Sequence, residues 1–550
     1  MTKLHSLALA LVLGSAGTLA ACQGCQPPDA PRAATDAGVT SQPPTLRIVA
    51  LSSVAGALEP CGCSKDQLGG ANHLAAWLAA EQAKAPSRLV VGAGPMLFLN
   101  PLLEPDRKTQ DEWKAEAIAG AVKGMGLAAW APGANDWAAG APALERYKAA
   151  SGAALLASNA KSDPPGLLEQ GPLVREVGGL KVALIGLAEP KDRFARVPAG
   201  VTTSDALAAL RADVAKAKAA GARVLVGLAA MPRGDALRLV DAVPELAVLV
   251  VGKPSESGDG NDAQKPPVLI GNTVIVETSN HLQTVSVVDL WVDEADMRGA
   301  GVITFSDGGG VAKAGEVVSL AARIRELEAR INGWKKSPKT NPKDLAEREA
   351  ELEKLRGEKA KVEASETAAK GSVFRYQTVE VREGLGSDKG VYDAMRAYYK
   401  KVNDHNKVAF ADRKPEPPPE GQAGFVGLEK CSECHAEERK VWDATPHSVA
   451  YETLQGDFKE YNLECVSCHV TGYAKPGGST VTHNDKLRGV QCEECHGPGS
   501  LHVAEPKKPG LVLRSPPPQM CVTACHHPPH VEGFDPVAKR ELILGKGHGR

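Results

Sequence analysis

Between Cys431 and His526 the chain repeats one spacing of reactive side chains. Cys431–Cys434–His435, Cys465–Cys468–His469 and Cys492–Cys495–His496 each place two thiols three residues apart, with an imidazole directly after the second. That pattern suits covalent haem. The two thiols add to the two vinyl groups of the porphyrin, and the adjacent His turns under the ring as proximal iron ligand. Eight of the twelve cysteines and ten of the fourteen histidines lie after residue 430. Random placement there would give roughly 0.04 such matches, so chance does not explain three. Zinc is the other metal that binds Cys and His. A zinc site closes with four ligands and needs no His after each pair.

A fourth stretch, CVTACH, is one residue wider. Cys521–Cys525–His526 is expected to hold a fourth haem c, the extra residue looping outwards while both sulfurs still reach the vinyl carbons. The alternative is a disulfide or a free thiol pair. Each iron takes a second axial ligand, and six further histidines are at hand: His447, His483, His502, His527, His530 and His548. Two His ligands favour electron transfer, whereas an open position permits binding or chemistry.

The segments CSECHAEERKVWDATPHSVAYETL, ECVSCHVTGYAKPGG and GVQCEECHGPGSLHV (within 425–535) resemble the tetrahaem cytochromes of the cytochrome c-554 family. The resemblance implies that His447, in TPH, and His502, after CHGPGS, are distal ligands. It also implies a distal His beyond the last motif, where His530 fits better than His527, which is crowded against His526; His483 is a weaker candidate. The five-residue CVTAC departs from the family spacing. The region has few aliphatic side chains, so haem is expected to form its core.

The N-terminus sets the compartment. MTKLHSLALALVLGSAGTLAAC has one Lys, a short apolar run and small residues before Cys22, as in a secretory signal. LAAC resembles a bacterial lipobox, which would make Cys22 the first mature residue and the lipidated one; an ordinary cleaved signal is the alternative. Gln23, rather than Asp, favours the outer membrane. Residues 22–44 read as a disordered tether. Net charge is −2, so no basic field argues for nucleic acid.

The elements that must carry these groups differ along the chain. Over 45–312, short β-branched runs (TLRIVALS, SRLVVGAG, AALLASN, LKVALIGL, ARVLVGLA, LAVLVVG, NTVIVETS) alternate with helical stretches at 68–84, 111–125 and 204–221. That is an α/β pattern. Over 313–370, Leu320, Ile324, Leu327, Ile331 and Trp334 are spaced 4, 3, 4, 3, and Leu345, Leu352, Leu355 and Val362 resume the stripe after a break. This predicts a coiled-coil helical hairpin. Residues 371–411 read as a strand–helix connector, 412–424 as a proline-rich linker, and 425–550 as the mainly helical and irregular multihaem domain.

The order of segments in 45–312 resembles the calcineurin-like metallophosphatases, specifically 5′-nucleotidases. SSVAGALEP keeps Gly56, Leu58, Glu59 and Pro60, but Ser53 and Ala55 stand where that family has Asp and His. Pro95 replaces a bridging Asp, Ala134 and Asn135 stand where Asn and His belong, and Lys253 replaces a ligand His. The resemblance therefore implies a layered α/β sandwich with its two-metal centre lost. Cys61 and Cys63, in the loop after the first strand, are a further metal or redox candidate, or simply two small residues on a Gly-rich turn.

The expected function is electron transfer at the cell envelope between redox proteins, with a lipid anchor to the membrane and a docking or binding α/β domain. A haem enzyme acting on a small nitrogen or oxygen species at a five-coordinate iron, and phosphoester hydrolysis by the α/β domain, are the alternatives.

Overall fold

Strands whose residues are buried on both faces read as continuous apolar runs, and such runs demand cover above and below. The computed structural model describes residues 42–60, 67–254, 260–335, 341–364, 371–527, 531, 534–545 and 548, without the side chains at 312, 322, 325, 329, 332 and 333. Among them, a seven-stranded sheet runs in the order Ser306–Asp307, Val373–Glu380, Thr284–Trp291, Leu46–Ser52, Arg88–Gly94, Leu127–Pro132, Ala154–Leu155. A six-stranded sheet runs Val268–Ile270, Thr273–Val276, Val248–Gly252, Val224–Ala230, Leu180–Ala188, Leu173–Val177. Both are parallel at the centre with antiparallel additions towards one or both sides.

The two sheets face each other across the main core. Strand Leu180–Ala188 shows how the period of two sorts its residues. Val182 and Leu184 join the core between the sheets, while Ala183, Ile185 and Leu187 point the other way. Their partners on that outer face include Leu210 and Val214 of helix Ala206–Ala219 and Leu239 and Val240 of helix Arg233–Ala242. The sheets touch most closely at Gly94 and Gly252. A Cβ on Gly94, whose φ is +85°, would lie 2.8 Å from the Gly252 Cα, so only glycine fits.

Thr284–Trp291 is a central strand that was not among the expected runs. It pairs antiparallel with the first strand, Leu46 opposite Leu290. Ser286 and Asp289 interrupt its apolar pattern, yet both are buried because they have partners. Arg47 donates to both Asp289 oxygens at 2.6 and 2.7 Å, and Ser286 meets the Tyr376 hydroxyl at 3.3 Å.

Helices Val311–Lys335 and Pro342–Ala364 close on Leu320, Leu327, Ile331, Leu352 and Leu355, the stripe residues of the sequence. Ion pairs Lys335–Glu349 and Glu328–Arg356 set the two helices antiparallel. No helix of the described residues is long and apolar enough to cross a membrane.

Residues 371–411 are built into the α/β region. Strand Val373–Glu380 pairs with Thr284–Trp291 along its whole length. Helix Lys389–Ala409 buries Val391, Met395, Tyr398, Tyr399 and Val402 in the main core. The proline-rich stretch after it is strapped on both sides. Arg413 grips Asp106 through two hydrogen bonds, and Thr480 donates to the Arg413 carbonyl. The described residues belong to one compact unit.

Candidate functional site

The C-terminal region has a small apolar core: Phe410, Tyr451, Val466, Val470 and Val481, with Tyr461, Leu463 and Tyr473 at its margin. Short helices hold the reactive groups. In the first motif, on helix Leu428–Ser432, the His435 N–H donates to the Cys431 carbonyl at 3.0 Å. In the fourth, on helix Gln519–Ala524, the His526 N–H donates to the Cys521 carbonyl at 2.8 Å. The wider spacing thus keeps the same closure with one more residue inside it. Cys521 lies on the helix and Cys525 directly after its end.

Glu493, buried between the two thiols of the third motif, ties that motif to the first. Its carboxylate accepts from the backbone N–H groups of Val426, Gly427 and Gly499 at 2.7–3.1 Å. Gln491 accepts from the Leu428 N–H at 2.8 Å. The result sets the first and third attachment sites side by side, and the Cys431 and Cys492 thiols share a hydrogen bond that raises the first and lowers the second. The second and fourth sites meet likewise. A hydrogen bond between Cys468 and Cys525 lowers Cys468 and raises Cys525. Burial pushes the Cys495 thiol up to about 11. None of the eight cysteines of the four motifs forms a disulfide.

The histidines pair across motifs. The His435 and His502 rings lie 6.4 Å apart, and those of His447 and His526 6.2 Å apart. Two imidazoles on one metal, each bonded at about 2 Å, bring their ring centres to about 6.2 Å. Both pairs therefore fit opposite faces of a haem iron. His469 Nδ1 meets the Ala450 carbonyl, and His496 Nδ1 the Leu513 carbonyl, each at 2.5 Å. Such a bond fixes the tautomer and leaves Nε2 for a metal. Burial lowers His447, His469 and His526 below the ordinary imidazole value, towards the neutral form that ligates. Phe534 stacks on His526 at 4.1 Å.

His483 bonds locally to Thr482 and, among the described residues, faces no motif histidine ring. His530, Cys22, Cys61 and Cys63 lie outside the described residues. Glu493, Gln491 and Phe534 carry no spacing signal that would have marked them in the sequence.

The segments of the α/β region that resemble a metallophosphatase centre converge at the ends of strands, where their side chains stitch backbone. Ser53 donates to the Lys253 carbonyl at 2.8 Å, and Asn135 to those of Phe98 and Leu99. Asp136 accepts from the N–H groups of Met96, Leu97 and Gly133, while burial pushes its carboxyl up to about 6. Among the described residues no three His, Cys, Asp or Glu side chains come together to hold one metal ion.

Residues 430–497 match the family described as cytochrome c554 and c-prime. Cytochrome c-554 of Nitrosomonas europaea is 35% identical over 104 residues, which cover 16% of this chain and 44% of that protein. The chain thus spans less than half the length of this relative. Among solved structures, the 5′-nucleotidase precursor of Thermus thermophilus aligns at 14% identity and a TM-score of 0.42, over 75% of this chain and 67% of that one. A calcineurin-like phosphoesterase of Bacillus subtilis aligns at 18% identity and a TM-score of 0.38, over 46% and 86%. The NAD nucleotidase of Haemophilus influenzae aligns at 18% and 0.38, over 45% and 47%.

Proposed function

We propose that the C-terminal region is a tetrahaem c-type cytochrome that carries electrons between redox proteins of the cell envelope. The observation that carries this reading is the facing of His435 with His502 and of His447 with His526 at the spacing of a bis-imidazole iron. Cys431 and Cys434, Cys465 and Cys468, Cys492 and Cys495, and Cys521 and Cys525 would hold the four porphyrins, with His435, His469, His496 and His526 as proximal ligands. Haem c supplies a one-electron carrier, and two imidazoles per iron suit it to transfer rather than to ligand binding. The bonds of Glu493 that tie the third motif to the first, and the contact of Cys468 with the Ala524 carbonyl next to Cys525, support neighbouring cofactors in two pairs. With so few aliphatic side chains in its core, the region depends on the porphyrins for its fold.

The α/β region is a non-catalytic partner in this reading, since its retained segments bond backbone rather than assemble a donor set. The leader and Cys22 support export and lipid anchoring, with the outer membrane favoured by Gln23.

The test is a pyridine haemochrome assay with a spin-state spectrum on protein matured by a cytochrome c assembly system. Four covalent haems per chain, with low-spin ferric signals from the paired sites, are expected. A colourless product of unshifted mass would end the proposal. High-spin iron that binds CO or nitrite as the dominant signal would replace transfer with haem-enzyme chemistry.

A further inference from the structure

The second attachment motif does not stand within the cytochrome region alone. The five residues before Cys465 are held, one after another, by side chains of two α/β helices, Lys108–Gly124 and Lys389–Ala409. Asn403 donates to Glu460 at 3.0 Å and accepts from the Tyr461 N–H at 3.0 Å. Asn406 donates to the Tyr461 carbonyl and to Gln110 Oε1. Gln110 accepts from the Leu463 N–H at 3.1 Å and donates to Asn462 Oδ1 at 3.1 Å. Gln110, Asn403, Asn406 and Asn462 are all buried. Asn462 in turn opens the motif helix, its carbonyl accepting from the N–H groups of Cys465 and Val466.

Charge is concentrated at the same place. Glu464, next to Cys465, is gripped by Arg107 at 2.8 Å and by Lys114 at 2.9 and 3.0 Å. Lys459 pairs with Glu59 and lies 4.6 Å over the Tyr399 ring. Tyr398 is buried on the same helix as Asn403 and Asn406. Its hydroxyl is buried and finds no hydrogen-bond partner among the described residues, nor does Asn462 Nδ2. Buried polar atoms without partners are rare and costly.

We propose that the α/β region is one wall of the second haem site and sets that haem's potential. Gln110, Asn403 and Asn406 are positioning residues for Cys465, and Glu464, Arg107, Lys114 and Lys459 are the charges that tune the iron held there. The proposal rests on the tetrahaem reading above. These groups are partly or fully shielded from water, so their field reaches the second site with less screening than surface charges would suffer. An acidic neighbour favours the oxidised, more positive haem, and a basic neighbour favours the reduced one.

The experiment uses the full chain with its haems. Glu464→Gln and Lys114→Met are made separately, and both keep four haems by pyridine haemochrome. In a spectroelectrochemical titration one of the four one-electron waves moves to higher potential in Glu464→Gln. The same wave moves to lower potential in Lys114→Met. Each shift is about a tenfold change in that haem's reduction equilibrium, ~59 mV. The other three waves stay in place. Opposite movement of one wave is not what a merely structural role produces. Titrations matching the wild type, shifts of the same sign, or several waves moving together would each overturn the proposal. If Glu464→Gln does not accumulate, Glu59→Gln, which removes the acidic partner of Lys459, is read against Lys114→Met in the same way, the first moving that wave up and the second down. Failure of the tetrahaem reading shows itself earlier, as a wild-type haem count below four.

Discussion

The rings of His435 and His502 lie with their centres 6.4 Å apart and their planes 31° from parallel. Sixty-seven positions separate them in the chain, and Glu493 is what brings them together. It binds the backbone at Val426 and Gly427, ahead of the first motif helix, and at Gly499, just before the helix that carries His502. The segment that follows the third motif therefore lies against the first.

Replacing His502 tests that pairing. His502→Met exchanges an imidazole for a thioether, and Met/His ligation raises a haem potential above bis-His. One wave of the titration rises while haem content stays at four. His502→Ala leaves that iron one ligand short, so one low-spin ferric signal gives way to a high-spin one in the EPR spectrum. Unaltered spectra in both variants would remove His502 from the ligand set.

The widened fourth motif makes a separate prediction. Cys521 lies on its short helix and Cys525 directly after its end, and the His526 N–H closes on the Cys521 carbonyl as His435 closes on Cys431. The double variant Cys521→Ser, Cys525→Ser should carry three haems, with intact mass lower by about one porphyrin. Four haems in that variant would show that CVTACH is not an attachment site.

The α/β region offers a prediction about pH. Arg47 is buried and bridges Asp289 and Glu81. Burial acts to raise the Glu81 carboxyl, but hydrogen bonds from Lys84 and Arg47 outweigh it and hold Glu81 below its ordinary value. A depressed carboxyl stabilises the fold at pH above its unfolded value, about 4.3, and that contribution is lost as pH falls through the folded value. Urea denaturation followed by far-UV circular dichroism should show stability falling below about pH 4.3. Arg47→Met should lower stability by about 3 kcal/mol at neutral pH, because the buried Asp289 carboxylate loses its partner while Glu81 keeps Lys84, and should flatten the acid slope.

What the sequence discloses here depends on how local the physics is. Thioether attachment fixes the distance between two thiols and a ligand, so the four motifs are readable in a line of text. The 4, 3 spacing of Leu320, Ile324, Leu327 and Ile331 announces the helical hairpin for the same reason. Strand Thr284–Trp291 is hidden, because Ser286 and Asp289 are buried only by virtue of Tyr376 and Arg47, which lie far along the chain. That His502 comes to lie beside His435, and His526 beside His447, is hidden too, since it is set by tertiary placement. Gln110 is the extreme case: its bond to Asn462 spans 352 positions, and nothing around either residue foretells it.

Glu493 carries the last prediction. A buried carboxylate that accepts from three backbone N–H groups is worth more than the same number of neutral bonds, because charge-assisted hydrogen bonds are the stronger kind. Glu493→Gln keeps the shape and one acceptor oxygen, but its amide turns a donor towards N–H groups. Glu493→Ala leaves all three donors without an acceptor. The expected losses are about 1–2 kcal/mol for Gln and about 3 kcal/mol or more for Ala. Thermal unfolding of the haem-loaded protein, followed in the Soret band, measures both. The loss should appear in ligation as well as in stability, since the same carboxylate sets His502 against His435. A high-spin component that grows from wild type to Gln to Ala is the signature. A protein that loses stability while its ferric spectrum stays fully low-spin would show that Glu493 holds the backbone without holding the ligand pair.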